Sequence, residues 1–400
     1  MTGSNSLRLQ HLLWPLVLLL LLALDPAHSR NWFQGLLGRF HPGRKSRSAA
    51  DALASAGLRN LGNTCYLNSV LQGLYHVPEF RESLLARDFG KGEDDSAGRE
   101  LQRVFQDLRG AAGAAGRAAD TRGLLQSLGL DARVQEDAQE LFLRLVNALD
   151  EAGAKGGGTG AAMSADAPSS GGSGGSGQAG ATSPAALFRG ETRQTIRCLD
   201  VAFSKHKLQR FLDLSVDVSR GESLESSLAA LFSQAEPLEG YRAGNLGEQR
   251  AERSVQLAVL PRALCVHLKR FSFDAQTGRA DKIGSRVTFP FALDMGRYAP
   301  PAQGQADAPQ ELKPGREASS AGPCVYDLAA VVIHDGTPTS GHYVCLARPD
   351  FIKRPSAWVK LDDSAVSTVS EEAVQREGFG EGEGWGGASR NAYMLFYVRR

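Results

Sequence analysis

The chain has 400 residues, of which 42% are hydrophobic and 22% are charged, and 45 Lys and Arg residues against 44 Asp and Glu residues leave a formal net charge of +1. This balance excludes a strongly basic protein, so we expect no nucleic-acid partner. Five cysteines without a Cys-x-x-Cys pair argue against a disulfide scaffold and against an intact zinc ribbon, and they favour a reducing compartment.

The N-terminal segment contains an uncharged, leucine-rich run over residues 12–24. Its length fits the apolar region of a signal peptide, with Ala27 and Ser29 as a small-x-small cleavage pattern. Basic residues lie mostly after the run, which instead favours an uncleaved anchor with the rest of the chain in the cytosol. We expect residues 1–29 to be an anchor, with a signal segment as the alternative, and residues 30–56 to be a basic juxtamembrane linker.

The N-terminal half of the remaining chain is expected to be helical. Apolar residues at helical spacing predict one helix beginning at Thr64, a second over residues 99–108 and a third whose apolar face runs from Val134 to Leu149. Residues 152–186 then contain no aromatic residue and many glycines. Such a segment buries too little apolar surface to offset its ordering entropy, so we expect a flexible insertion there.

After this insertion the pattern changes to short β-branched or aromatic segments separated by turn residues. The expected strands are residues 211–218, 255–260, 264–273, 325–334, 342–347 and 392–399. The C-terminal half is therefore predicted to be a largely antiparallel sheet, and the chain as a whole belongs to the α+β class.

A candidate nucleophile, Cys65, stands where the first helix is expected to begin. The positive end of a helix stabilises a thiolate, and a thiolate nucleophile needs a base and a group that orients the base. His342 follows the small residues 336–341, which we expect to be a flexible hinge, and Asp362 ends a nearby strand-like segment. Asn60 precedes the helix and is suited either to donate to an oxyanion or to cap the turn.

Six segments in order carry a resemblance to the ubiquitin-specific proteases, the papain-like deubiquitinases, over residues 57–400. The segments are residues 57–69, 135–142, 264–271, 340–343, 358–363 and 392–397. The resemblance implies a thumb, palm and fingers architecture, with a helical thumb that bears the nucleophile and an antiparallel palm that bears the histidine. It also implies that ubiquitin and ubiquitinated proteins are the substrates, cleaved after the C-terminal glycine of ubiquitin.

The resemblance assigns roles residue by residue. Cys65 corresponds to the nucleophile, His342 to the general base and Asp362 to the residue that orients it, with the adjacent Asp363 as the alternative. The positions expected to contact the ubiquitin tail, or to border the channel through which it passes, are Gln135, Asp137, Gly341 and Tyr343.

The fingers depart from the family pattern. Many members hold the fingers with a zinc ion through two Cys-x-x-Cys pairs, whereas here the first region keeps only Cys198 and the second, residues 241–246, has no cysteine. One thiolate cannot complete a four-coordinate structural site. We therefore expect no zinc, no other metal and no cofactor, and we expect the fingers to be held by packing alone.

The N-terminal anchor resembles that of family members held on the mitochondrial outer membrane, and the helix segment Val70–Leu74 is similar to theirs as well. The surface of the endoplasmic reticulum is the alternative location. Two other functions stay open at this point: a ubiquitin-binding member of the same fold with weak or no catalysis, and a secreted papain-type protease.

Overall fold

The computed structural model describes residues 55–89, 96–111, 118–156, 183–219, 221–233, 235–274, 276–298, 324–349, 356–380, 382–383 and 389–400. These residues belong to one unit, Ala49–Arg400. The expected anchor, nearly all of the linker and most of the insertion lie outside the described residues. None of the described helices combines the length and the apolar content needed to cross a bilayer.

Most of the helices come before the strands. In chain order the α-helices are α1 Cys65–Tyr75, α2 Pro78–Ala86, α3 Ser96–Ala111, α4 Arg122–Ser127, α5 Ala138–Gly156, α6 Leu224–Ser233 and α7 Glu371–Phe379. Short 3-10 helices span Pro184–Phe188, Gly244–Leu246 and Gly296–Tyr298.

The strands begin after the first of these 3-10 helices. They are β1 Gly190–Cys198, β2 Ser204–Phe211, β3 Asp213–Asp217, β4 Glu236–Arg242, β5 Glu248–Val259, β6 Ala263–Lys269, β7 Phe271–Asp274, β8 Arg279–Lys282, β9 Ala292–Asp294, β10 Val325–Thr337, β11 Ser340–Ala347, β12 Trp358–Asp362, β13 Ala365–Val369, β14 Gly382–Glu383 and β15 Ser389–Arg399.

A large sheet forms the centre of the fold. Its strand order is β13-β12-β11-β10-β15-β6-β3, with β14 on β15 and β9 on β10. Every pairing within it is antiparallel except that between β3 and β6. A second sheet, in the order β2-β1-β5-β4, forms the fingers, and β7 and β8 make a separate hairpin. The expected antiparallel palm is confirmed.

Helix α1 packs against the central sheet. All of its residues are buried, including the polar Asn68 and Gln72, so it is an interior helix rather than an amphipathic surface one. Gly73 permits the close approach, because a Cβ there would lie 2.7 Å from the ring of Phe396 in β15. Helix and sheet therefore meet with almost no space between them.

An aromatic chain joins the helices to the same strand. Phe80 of α2 contacts Phe188 with 5.7 Å between ring centroids, Phe188 contacts Phe142 of α5 at 5.2 Å, and Phe142 contacts Phe396 at 5.8 Å. Each pair is edge-to-face, the arrangement that aromatic quadrupoles favour. Because all four rings are fully buried, truncating any one of them to alanine costs about 3–5 kcal/mol.

Both ends of the expected insertion, residues 152–186, lie in regular structure. Helix α5 continues to Gly156, and the 3-10 helix begins at Pro184. Ala185 and Phe188 are fully buried, so the apolar residues at the end of the glycine-rich segment belong to the core. At the N-terminal side, Ala56 is buried as well and accepts a hydrogen bond from the Gln72 side chain at 2.8 Å, so the packed chain begins within the expected linker.

Two other expectations about local structure were wrong. Val134 is 51% exposed and precedes α5, because the helix begins only where Asp137 caps it. The expected hinge at residues 336–341 is a tight hairpin instead, in which Gly336 pairs with Gly341 and Thr337 with Ser340. Gly336 adopts a φ of 124°, a conformation that glycine adopts readily, and this lets β10 turn directly into β11.

Candidate active site

Cys65 is the first residue of α1, and the preceding loop is fixed by backbone hydrogen bonds. The amide of Leu58 donates to the Asp363 carbonyl at 2.8 Å, and the amide of Ala119 donates to the Gly57 carbonyl at 3.0 Å. A Cβ on Gly57 would lie 2.6 Å from the Ser364 carbonyl oxygen, so only glycine lets the loop pass this close to the turn after β12. The Cys65 side chain is 4% exposed, which gives the thiol a defined position at the helix N-terminus.

Asn60 shapes the loop that leads into α1. Its Oδ1 accepts hydrogen bonds from the Gly62 amide at 2.9 Å and from the Thr64 amide at 3.3 Å. Thr64 is the N-cap residue by position, yet its hydroxyl accepts from the Leu61 amide instead of capping the helix. The Asn60 side chain thus organises the turn from within, which is the turn-capping role that the sequence left open.

His342 and Asp362 form a hydrogen-bonded pair. The distance between His342 Nε2 and Asp362 Oδ1 is 2.7 Å. This bond, and then a hydrogen bond with Cys65, raise the pKa of His342 from its ordinary 6.5 to about 10. The same contact with His342 lowers the pKa of Asp362. Since Asp362 occupies Nε2, the Nδ1 atom is left for the thiol, and the structure brings Cys65, His342 and Asp362 together.

Asp363 has a different position from its neighbour. Strand β12 ends at Asp362, and among the described residues Asp363 is the only non-glycine residue with a positive φ, 51°. Its Oδ2 accepts from Asn60 Nδ2 at 2.8 Å and its Oδ1 accepts from Asn68 Nδ2 at 2.8 Å. Asp363 therefore links α1 and the loop before it to the sheet, while Asp362 contacts the imidazole of His342. Sequence reasoning missed Asn68, although it lies three residues after Cys65.

The expected substrate-contact residues lie around a group of buried tyrosines. Asp137 Oδ1 accepts from the Gln139 amide at 2.7 Å and so caps α5, and its Oδ2 accepts from the Tyr393 hydroxyl. Tyr343 is 2% exposed, and its ring lies 5.9 Å from that of Tyr393. Burial and then the charge of Asp137 raise the pKa of the Tyr343 hydroxyl. Asp137 and Tyr343 thus have structural partners of their own.

Gly341 and Gln135 complete that group of expected contacts. A Cβ on Gly341 would lie 2.3 Å from His334 Nε2, so this position borders a buried histidine. Gln135 is half-buried in the segment just before α5. Tyr393 was not anticipated as a partner of Asp137, because 256 residues separate the two in the sequence.

Comparison with known proteins decides the family. The model of the family described as ubiquitin carboxyl-terminal hydrolase matches residues 56–397. The chain belongs to the ubiquitin carboxyl-terminal hydrolase family. Ubiquitin carboxyl-terminal hydrolase 12 of Salmo salar is 30% identical over 86% of this chain and 89% of its own length. Ubiquitin carboxyl-terminal hydrolase 7 of Caenorhabditis elegans is 32% identical over 86% of this chain, and the match spans only 27% of that longer protein.

A solved structure has a fold similar to that of this chain. The structure of the SAGA Ubp8/Sgf11/Sus1/Sgf73 DUB module bound to ubiquitin aldehyde contains a chain that matches with a TM-score of 0.65 and 23% identity, over 93% of this chain and 74% of that one. The expected α+β architecture with an antiparallel palm is confirmed.

Among the described residues, the end of the fingers sheet around Cys198 does not offer a zinc site. Buried Cys198 packs in a small apolar cluster with two alanines and with the partly buried side chains around them, and we call this set the fingertip cluster. Its members are Cys198, Ala243, Ala251, Ile196, Val201, Phe203, Leu238 and Tyr241. A structural zinc ion needs four nitrogen, sulfur or oxygen donors, and this cluster supplies one thiol among hydrocarbon. The residues present do not fit the metal.

Proposed function

We propose that this chain is a thiol-dependent deubiquitinase that hydrolyses peptide and isopeptide bonds after the C-terminal glycine of ubiquitin. The observation that carries the proposal is the hydrogen bond between His342 and Asp362, with Cys65 beside this pair at the N-terminus of α1. Membership of the family supports it, and so does the ubiquitin aldehyde bound to the DUB module of similar fold.

In the proposed reaction, His342 holds the proton of Cys65, and the thiolate attacks the carbonyl carbon of the terminal glycine. The carbonyl electron pair moves onto oxygen, and it returns as the bond to the leaving amine breaks and His342 donates its proton to that amine. Water, deprotonated by His342, then hydrolyses the thioester. Asp362 keeps the imidazole in one orientation and stabilises its charged form.

Asn60 is proposed to assist the oxyanion. A primary amide has two N–H groups, and the Asn60 bond to Asp363 uses one of them. The second is available to the developing negative charge, and such a donor contributes about 2.7–4 kcal/mol to the transition state. Because Asp363 holds the amide in place, this donor is already oriented before substrate binds.

The ubiquitin tail is proposed to pass beside Gln135, Asp137, Gly341 and Tyr343. Both carboxylate oxygens of Asp137 already accept hydrogen bonds within the protein. Asp137 is therefore proposed to attract the basic tail of ubiquitin through the negative potential of its fixed carboxylate, and not through a new bidentate hydrogen bond. Buried Tyr343 is proposed to shape the wall behind the tail.

A fluorogenic amide of the ubiquitin C-terminus tests the activity of the full-length chain. We expect turnover by the wild type, loss of turnover in Cys65→Ala and retention in Cys324→Ala, a matched control at another buried cysteine. Absence of turnover in the folded wild type, together with tight binding of ubiquitin, would favour the non-catalytic binder. Turnover that survives Cys65→Ala would refute the assigned nucleophile.

We further propose that residues 1–29 anchor the protein to a membrane, with the catalytic domain in the cytosol and the mitochondrial outer membrane as the favoured site. The support is the leucine-rich run over residues 12–24 and the basic residues that follow it. A tagged full-length chain is expected in the carbonate-resistant mitochondrial fraction, and a chain without residues 1–50 in the supernatant. Recovery with the endoplasmic reticulum, or secretion of a chain that begins after residue 29, would contradict the proposal.

A further inference from the structure

Charged side chains from four elements converge beside the His342–Asp362 pair, and we call them the charge cluster. They are Asp335 of β10, Lys360 of β12, Glu377 of α7 and Arg390 of β15. Their side chains are only 13–21% exposed. Charges at this depth interact more strongly than charges in open water, so their arrangement bears on any titrating group nearby.

The strand register places the cluster on the same sheet face as His342. Asp335 pairs with His342 across β10 and β11, and it pairs with Arg390 across β10 and β15. Directly paired residues of an antiparallel ladder share a face, as do residues two apart along a strand. Lys360 therefore shares the face of Asp362, and its pairing with Leu346 of β11 places it on the His342 face.

Helix α7 covers this face and contributes the residue that joins the two cations. Val374 and Phe379 anchor the helix in the core on this side of the sheet. Glu377 Oε2 accepts from Arg390 Nη2 at 2.6 Å and from Lys360 Nζ at 3.3 Å. Arg390 Nη1 lies 3.8 Å from Asp335 Oδ2. One carboxylate oxygen thus holds side chains from two strands that are not neighbours in the sheet.

We propose that Glu377 is a positioning residue for the reaction, which holds Lys360 and Arg390 beside Asp362 and sets the charge balance around the Cys65–His342 pair. This inference rests on the proposed cysteine-protease function, and it adds a helix that the assigned catalytic set does not include. The two cations favour the ionised form of Asp362, and they contribute to its lowered pKa after the His342 contact itself. The negative charge of Glu377 offsets the repulsion between these two cations and the imidazolium of His342.

Several charged or titratable groups surround the Cys65–His342 pair, from each element that packs near it. They are Lys282 of β8, His334 and Asp335 of β10, Lys360 and Asp362 of β12, Asp363 of the following turn, Glu377 of α7 and Arg390 of β15. Among them Glu377 is the negative charge whose hydrogen bonds go to both cations of the charge cluster. Its removal therefore changes the charge cluster from neutral to a net charge of +1.

The test compares Glu377→Gln with Lys360→Gln in the full-length protein. Glutamine keeps the size and an acceptor oxygen of Glu377 but removes its charge, so both limbs of the pH profile of kcat/KM are expected to move to lower pH by roughly half a unit or more. Removal of the Lys360 charge is expected to move both limbs to higher pH, and the double variant lies between. Glu372→Gln, at an exposed position on the same helix, is the matched control and leaves the profile in place.

A second measurement, the pH dependence of Cys65 alkylation by iodoacetamide, needs no turnover. If the wild type fails to hydrolyse ubiquitin substrates but the alkylation profiles shift in opposite directions, the proposed function fails and the role of Glu377 stands. If the wild type is active and the two variants lower kcat without opposite shifts, Glu377 is merely structural and the inference is overturned. If Glu377→Gln does not fold, the upward shift in Lys360→Gln still supports the inference, and its absence overturns it.

Discussion

Substitution of Gly341 by alanine offers a sharp test of how the histidine strand is held. A Cβ at this position would lie 2.3 Å from His334 Nε2 and 2.6 Å from the Asp335 carbonyl oxygen. The His334 ring cannot move aside easily, because it is 1% exposed and packs on Tyr343 at 4.6 Å and on Phe271 at 5.1 Å between ring centroids. The carbonyl belongs to the ladder between β10 and β11, so relief there means opening the hairpin.

Two opposing effects set the expected change in the free energy of unfolding. Overpacking of a tight site costs about 1–3 kcal/mol, and the backbone contact favours the upper end. Replacing glycine by alanine returns about 0.4–1 kcal/mol by restricting the unfolded chain. We therefore expect Gly341→Ala to lower the free energy of unfolding by about 2 kcal/mol. Because His342 follows directly, kcat/KM should fall by roughly tenfold to a hundredfold, as displacement of a catalytic group by about 1 Å does.

Urea unfolding and hydrolysis of the fluorogenic ubiquitin amide measure the two effects in the full-length protein. Gly110→Ala is the matched control, since a Cβ at this position in α3 meets no heavy atom within 4 Å. It should be stabilised by about 0.5–1 kcal/mol through helix propensity, with activity unchanged. The reasoning is refuted if Gly341→Ala unfolds at the wild-type urea concentration and only raises KM, because the added methyl group would then point toward the substrate.

Three further predictions concern the metal, the pH and the turn after β12. In the fingertip cluster, Tyr241→Ala should lower the free energy of unfolding by about 1–2 kcal/mol. EDTA should leave the melting temperature of the wild type unchanged, and a drop would contradict the view that packing alone holds the fingers. Because its pKa is raised, His342 contributes stability that is fully present below pH 6.5 and is lost as the pH rises toward about 10. The urea midpoint of the wild type should therefore decline across that range more than that of His342→Gln. Asp363→Ala should cost about 1–3 kcal/mol by removing the carboxylate that accepts from Asn60 and from the buried Asn68, and it should lower kcat. A wild-type urea midpoint and a wild-type kcat in that variant would argue against the role of Asp363 in linking α1 to the sheet.

The positions of Cys65 at the start of a helix and of His342 near the start of a strand could be predicted because their signals are local. Cys65 directly follows a loop and begins an apolar helical pattern, and His342 is flanked by small residues before a buried strand. The distinction between Asp362 and Asp363 could not be made, because it depends on β12 ending between them and on Asp363 adopting a left-handed conformation. The role of Asn68 depends on a partner 295 residues away, which no local pattern reveals.

The fingers were largely missed for a different reason. Strand β2 is exposed along almost its whole length, and β4 is exposed at most positions. Alternation of apolar and polar residues arises only where one face of a strand is buried, so these strands lack the signal by which the palm strands were recognised. The same reasoning explains why β10 and β15, buried over most of their length, were predicted from sequence.

The link between Asn60, Asn68 and Asp363 also determines when the site around Cys65 is completed during synthesis. The ribosome releases α1 about three hundred residues before Asp363, and β15, which fills the middle of the central sheet and carries Phe396 against α1, follows later still. A nascent chain that has passed Cys65 therefore carries the thiol without the imidazole, the carboxylate or the sheet that hold it. The contacts that hold the thiol in place are therefore complete only once the strand from Ser389 to Arg399 has been translated and inserted between its neighbours.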